Sequence, residues 1–275
     1  MLAKDCEFNR CVEFRFSKSG HCQVSRWNWR LPAWADGGLS LDDQLANGLS
    51  PTRRPPRQRK SPNGYRNRSP IWVAHRSEPI ESTLKALTPL QITCVVNASE
   101  QDRLFRCLLC AYHYLGLRNT AGENLKYLVH SRDGQPLACL LFGAAAWKSG
   151  ARDAWIGWPA PVRERNLLYV TNNSRFLVLP RVRVAHLASH LLARIARRIQ
   201  ADWIAKYGHS LYCLEAFVDR SRYRGVCYRA ANWQLVGQST GRSRNDRCHR
   251  LSVPAKDHYL YPLTRDFRRR LCDDT

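Results

Sequence analysis

The stretch "VAHLASHLLARIARRIQADWIAKYG", residues 184–208, limits the fold more than any other part of the chain. Leu187, Leu191, Ile195, Ile199 and Trp203 recur at helical spacing on one face. Gly208 follows as a stop signal. A long helix with one apolar stripe has to lay that stripe on something, and its flanks supply it. "SRFLVLP" (174–180) precedes it and "SLYCLEAFV" follows it, both read as buried strands.

The same pattern extends outward. "LQITCVV" (90–96) reads as a buried strand. "EQDRLFRCLLCAYHYLG" reads as an amphipathic helix with Leu104, Phe105, Leu108, Leu109, Tyr112 and Leu115 on one face. "LKYLVHS" and "QPLACLLFGAAAW" read as a hairpin turning at Asp133-Gly134. "YRGVCYRAAN" reads as a short helix, "WQLVGQS" and "KDHYLYPLT" as strands, and the end as a basic tail. The order is strand, helix, hairpin, strand, long helix, strand, short helix, strand. It predicts a mixed sheet with helices on its faces, α+β or α/β-like in class.

Upstream the chain is less regular. Residues 1–50 are expected to form a small unit, with Val12, Phe14 and Phe16 alternating as in a half-buried strand. Residues 51–70 contain five prolines, seven Lys or Arg and no acid. Such a segment cannot bury enough apolar surface to fold alone. It reads as a linker whose Arg53, Arg54, Arg57, Arg59 and Lys60 either lie along phosphates or are solvated. The regular domain is expected from 71 to 275.

Charge speaks to partners. The chain has 44 Lys and Arg against 22 Asp and Glu, a net of +22, and only eight of the cations are Lys. A planar guanidinium binds oxygens in pairs, so an Arg-rich surface suits phosphate, although base composition of the gene would also enrich Arg. DNA or RNA is the expected partner. Arg242, Arg244 and Arg247 in "GRSRNDRCHR" read as a second phosphate-contacting loop, or a solvated one. No apolar run is long enough to span a membrane, and the charged N-terminus has no signal-peptide core, so a cytoplasmic location is expected. The eleven cysteines are expected to be mostly reduced and buried.

Longer phrases carry a resemblance. "SRDGQPLACLLFG", "RFLVLPRVRVAHLASHLLARIARRI" and "LEAFVDRSRYRGVCYRAANWQLVG" are similar in order to the central hairpin, long helix and closing strand–helix–strand of the GNAT acetyltransferase fold. "YHYLGLRNTAGENLKYLV", "RDAWIGW", "NNSRFLVLPRVRVAHLASHLL", "LEAFVDRSRYRGVCYRAANW" and "KDHYLYPL" together resemble the DruA family of the Druantia anti-phage system over about residues 88–264. That resemblance implies a prokaryotic protein of defence or mobile-element context, sometimes transposon-associated, with other proteins of that system as partners. It implies no known reaction.

The acetyltransferase resemblance singles out further residues. CoA pyrophosphate sits in that fold on a glycine-containing turn that opens the long helix, where backbone N–H groups meet the anion. Here the turn keeps Arg183 and Ala188 but has His186 in place of the central glycine. Acyl-CoA is therefore an expectation with half its motif, and the turn reads equally as a phosphate site or a solvated helix start. Glu215 at a strand end reads as a general base or as the ion-pair partner of Arg220, Arg222, Arg224 or Arg229. Tyr228 stands where such enzymes place a general acid, and also reads as a core tyrosine. Independently of that resemblance, Glu123 and Lys126 read as lining a substrate cleft or capping a turn, and Arg152 and Trp158 as stacking bases at the cleft or packing a core; Asn232, in place of the fold's usual Gly, is grouped with the cleft. No metal is expected: Cys107, Cys110 and His113 drift across a helix face, and the Cys and His residues near the N-terminus match no zinc spacing. No P-loop, Ser-His-Asp phrase or nuclease acid triplet appears. Three functions follow: a nucleic-acid-engaging defence protein, an N-acyltransferase, or a non-catalytic interaction subunit.

Overall fold

The computed structural model describes residues 72–117, 120, 122–239, 241 and 254–273. The expected small N-terminal unit with Val12, Phe14 and Phe16, the basic linker with Arg53, Arg54, Arg57, Arg59 and Lys60, and the loop with Arg242, Arg244 and Arg247 lie outside those residues.

In chain order the described elements are β1 (Ile80–Glu81), α1 (Leu84–Leu87), β2 (Gln91–Cys94), α2 (Glu100–Tyr112), β3 (Leu125–His130), β4 (Pro136–Ala144), α3 (Gly150–Ile156) and α4 (Ala160–Asn166). They continue with β5 (Val170–Val178), β6 (Val182–Arg183), α5 (Leu187–Tyr207), β7 (Cys213–Asp219), α6 (Val226–Ala230), β8 (Gln234–Gln238), β9 (Lys256–Pro262) and α7 (Phe267–Cys272). One sheet runs β2-β3-β4-β5-β7-β9-β8, and β1 pairs with β6 in a separate two-stranded sheet. Within the large sheet β5 and β7 are parallel and the other neighbours antiparallel. The class is α+β, a mixed sheet flanked by helices.

The pairing explains which strands read clearly. Leu137 to Phe142 of β4 are buried without interruption, as in a strand covered on both faces. The run 90–96 is different from its expectation: β2 is an edge strand, its residues exposed or half-buried. Ser99 caps α2 by accepting a hydrogen bond from the N–H of Asp102 at 3.1 Å. Phe105, Leu108 and Leu109 of α2 pack with Leu187, Leu191, Ile195, Ile199 and Trp203 of α5 in the main core. Leu115 lies beyond α2 and is partly exposed. Gly208 ends α5 in the left-handed region, φ 79°.

The other sheet face is covered by α3, α4 and α7, elements absent from the sequence reading. Ile156, Trp158, Val162, Phe267 and Leu271 close a second core over Val170, Cys213 and Leu260. β7 alternates between the two cores: Leu214, Ala216 and Val218 belong to the first, Cys213 to the second. Glu215 and Phe217 therefore share the second face with Cys213, and on β9 His258 shares it with Leu260.

Gly225 precedes α6 with φ 65°. A Cβ there would lie 2.7 Å from Cζ of Tyr259. Gly225→Ala therefore combines left-handed strain with a collision against a buried ring. It is expected to destabilise by about 1–3 kcal/mol, read as a lower urea midpoint at unchanged m value.

Candidate functional site

The site begins with two strands that part. β5 and β7 pair only from Val170↔Cys213 to Asn172↔Glu215. Opposite β4 the register passes from Leu141↔Arg175 to Phe142↔Asn173, leaving Ser174 as an extra residue in β5. Such a bulge bends its strand and raises the local twist. Beyond it lies a cavity of about 1080 Å³ walled by Asn172–Val178 of β5 and Phe217–Asp219 of β7. Trp147, Lys148 and Ser149 wall it before α3, and Ala188 near the start of α5.

Rings and cations dominate the wall. Tyr114, Trp147, Phe176, Phe217, Tyr223 and Tyr228 present aromatic surface; Lys148, Arg175 and Lys256 present charge. The one acid of the wall among the described residues, Asp219, is committed to a turn: its Oδ1 accepts from the N–H and hydroxyl of Ser221 at 3.0 and 2.6 Å. Burial, then the charge of Arg175, pushes His113 down to about 3, so its ring is neutral near neutral pH. His113 stacks on Tyr114, and the Arg222 guanidinium lies 4.8 Å from the Tyr114 centroid. Burial also lowers Lys256, an effect opposed by Asp219 and reinforced by Arg175.

Two buried amides meet this wall incompletely satisfied. Tyr228 donates from its hydroxyl to Oδ1 of Asn173 at 3.0 Å. Nδ2 of Asn173 and Oδ1 of Asn172 have no hydrogen-bond partner among the described residues. Asn172 and Asn173 are consecutive in β5, so their side chains leave opposite faces of the sheet. Burial raises Tyr228 well above the ordinary tyrosine range and keeps it protonated.

Behind the cavity is a polar cluster that period-two alternation assembles. Glu215 is fully buried. Its Oε1 accepts from the Ala146 N–H at 2.6 Å, and its Oε2 lies 3.0 Å from Nη1 of Arg152 and 3.2 Å from Nε2 of His258. Burial alone would raise this carboxyl. The His258 hydrogen bond, the Arg152 charge and the Ala146 N–H outweigh it and hold it below the usual range. Arg152 also donates to Oδ1 of Asp153 through Nε and Nη2, and its guanidinium sits 5.6 Å from the Trp158 ring centroid. Nδ1 of His258 lies 2.9 Å from Oγ of Ser149.

The structure divides the sequence-derived candidates. Tyr228 and Ala188 lie in the cavity wall. Glu215 does not; its ion-pair partner is Arg152, not one of the arginines at 220–229. Arg152 and Trp158 sit in the cluster behind the wall rather than in it. Glu123 bonds His209, 2.8 Å away, and Lys126 bonds Asp102, 2.6 Å away; both lie off the cavity because β3 is remote from the parting strands. Asn232 is an exposed residue of positive φ after α6. Arg183 is exposed and pairs with Glu81 at 2.9 Å. His186, exposed, takes the left-handed conformation at φ 62° that a glycine would adopt there. Cys107 is buried and its sulfur accepts from the Val73 N–H. Among the described residues no group of three His, Cys, Asp or Glu is placed to hold a metal ion, and Cys107, Cys110, Cys139 and Cys213 are buried. No helix of those residues is long and apolar enough to cross a membrane. Ser149, His258, Trp147 and Lys148 escaped the sequence reading; the one signal for His258 was an ionisable pair, Asp257-His258, inside an apolar strand.

Sheet and cavity define a protein of the α+β class, a helix-flanked mixed sheet opening between its parallel strands. Similar solved structures are a spermidine N-acetyltransferase from Vibrio cholerae in complex with CoA and spermine (8% identity, 64% of this chain and 96% of that one, TM-score 0.42) and a protein from Klebsiella pneumoniae described as an acyl-CoA N-acyltransferase (13%, 64% and 99%, 0.40). In a dodecameric form of the Vibrio enzyme the match spans 51% of this chain and 65% of that one, at 7% identity and TM-score 0.34. The chain belongs to the DruA family: the family model of Druantia protein DruA matches residues 50–253. Among curated proteins none matches.

Proposed function

We propose that this DruA-family protein engages nucleic acid, DNA or RNA, in prokaryotic anti-phage defence or beside a mobile element, seating unpaired nucleotides in the cavity between β5 and β7. The observation that carries the reading is the composition of the wall: stacked and accessible rings beside Lys148, Arg175 and Lys256, with the single carboxylate already occupied. Base–aromatic stacking contributes about 1–3 kcal/mol per base, and cations beside the rings serve the phosphates. The net charge of +22 favours the same class of partner.

A second reading, an acyl-CoA-dependent N-acyltransferase, is favoured by Tyr228 in the wall and by the left-handed turn at His186 near Ala188. Both readings place a nucleotide-bearing anion in one cavity, so one experiment separates them. Fluorescence anisotropy with a short labelled single strand, and with its duplex, is run across a salt series. Tighter binding of the single strand is expected, with log Kd rising linearly with log salt. Lys148→Ala combined with Lys256→Ala is expected to lower that slope by about 2, roughly 1 per phosphate contact. Absence of binding at low salt, or a slope unmoved by the double substitution, defeats the nucleic-acid reading of this cavity. Thermal stabilisation by acetyl-CoA that persists at moderate salt supports the second reading.

A further inference from the structure

Three side chains from distant parts of the chain form one hydrogen-bonded file that ends at the cavity. Ser149 is half-buried and lies in the wall. It stands at the N-cap position of α3, yet its side chain makes no capping bond; its Oγ is turned to Nδ1 of His258 at 2.9 Å. Nε2 of His258 meets Oε2 of Glu215 at 3.2 Å. A carboxylate only accepts, so Nε2 carries the imidazole proton and Nδ1 is left as the acceptor for the serine hydroxyl. Proton flow along the file can then run in one direction, from serine to imidazole, with the carboxylate stabilising the imidazolium that results.

The fold holds each member. Phe217 stacks on the His258 ring, centroids 4.1 Å apart and planes 22° apart, and fixes its tilt. Arg152 and the Ala146 N–H pin the Glu215 carboxylate. Gly237 of β8 pairs opposite His258, and a Cβ on it would come within 2.8 Å of Cβ of Ala151. The missing side chain lets the first turn of α3 descend onto the sheet, which brings Ser149 over His258.

We propose that Ser149 is a nucleophile for acyl transfer from ester or thioester donors, with His258 as its general base and acid and Glu215 as the residue that positions His258. This goes beyond nucleic-acid engagement and does not depend on it. Oγ of Ser149 attacks the carbonyl carbon and forms a C–O bond, and its proton moves to Nδ1 of His258. The bond from carbon to the leaving oxygen or sulfur breaks, and that alkoxide or thiolate takes the proton. Water or an amine clears the acyl-serine by the same route: its proton passes to His258, and Oγ departs and regains it. Relative to the familiar triad the two imidazole nitrogens are exchanged, but the roles and hydrogen-bond polarity are retained, and these define such a site. Trp147, Ala151 and Phe217 beside Ser149 give an acyl group apolar surface.

The test is covalent labelling of the full chain with a fluorophosphonate probe. Phosphorus bonds to Oγ, fluoride leaves, and the hydroxyl proton departs through His258. Intact mass should show one adduct, peptide mapping should place it on Ser149, and Ser149→Ala should abolish it. His258→Asn should slow labelling at least about a hundredfold while the melting curve stays cooperative. Ser149→Ala concerns a half-buried side chain and keeps the test meaningful should His258→Asn fail to fold. With p-nitrophenyl acetate, Glu215→Gln should lower kcat by about 10²-fold or more and leave KM nearly unchanged, as loss of tautomer control does and loss of binding does not. A folded protein without an adduct on Ser149, or one labelled equally fast after His258→Asn, overturns the proposal. Labelling is read on the chain without nucleic acid, so failure here leaves the anisotropy result standing.

Discussion

Arg152→Met should lower the unfolding free energy by about 3–5 kcal/mol, a large share of what a domain of this kind possesses. The reason is the company it keeps. Arg152 is fully buried and gives Nη1 to Glu215 and to the Ala146 carbonyl, 3.0 and 2.7 Å away, and Nε and Nη2 to Asp153. Methionine would fill much of the stem's volume, so packing changes little. What remains is the fully buried Glu215 carboxylate without its cation and the Ala146 carbonyl without its donor. Arg152→Lys should recover little, because one ammonium cannot span Glu215 and Asp153 as a planar fork does. The urea midpoint is the readout, at constant m value. Adding Glu215→Gln to Arg152→Met should restore part of the loss, since the interaction energy between touching residues is shared by the pair. A loss below about 1 kcal/mol for Arg152→Met would mean that the cluster is hydrated and that its geometry does not hold His258 in place.

The same cluster shows why a fold can be read from sequence more readily than a site. The long helix was legible because its five core residues repeat at one spacing and end at Gly208, and all five are buried. The hairpin was legible because Gly134, with φ 74°, marks its turn. The helices α3, α4 and α7 were not, since each has six or seven residues, too few for a periodic stripe to stand out. Strand order was hidden as well: β9 comes last among the strands yet enters the sheet between β7 and β8. That insertion sets His258 beside Glu215. Ser149 and His258 lie 109 positions apart, so no phrase of the sequence contains the file they form with Glu215. Tyr228 was picked out by a local phrase, and the short helix α6 that carries it is local too. The aromatic and cationic wall draws on β5, β7, the segment before α3 and the segment after α2, so composition hinted at its chemistry and only the sheet could assemble it.

Lys126 offers the second large effect and a contrast with Arg152. The sequence places it at a cleft entrance; the sheet places it inside, 2.6 Å from Oδ1 of Asp102 and 2.8 Å from Oδ1 of Asn97, with almost no exposure. It joins β3 to the first turn of α2. Lys126→Met should destabilise by about 3 kcal/mol, near the lower end of the range for breaking a buried pair. The lower end applies because Asp102 keeps two other partners, the Arg106 guanidinium at 2.8 Å and the Ala98 N–H at 3.2 Å. Lys126→Met together with Asp102→Leu should recover most of that loss, since an apolar pair of similar volume often matches a buried ion pair in stability. The recovery should be incomplete by the Ala98 and Arg106 bonds that Asp102 also supplied. Urea titration of the two single variants and the double variant closes the cycle. If the double variant is as unstable as the sum of the singles, the two residues act independently and the buried bridge is not what fastens α2 to the sheet. Nucleic-acid affinity should be the same in the double variant as in the unaltered chain, because neither residue borders the cavity between β5 and β7.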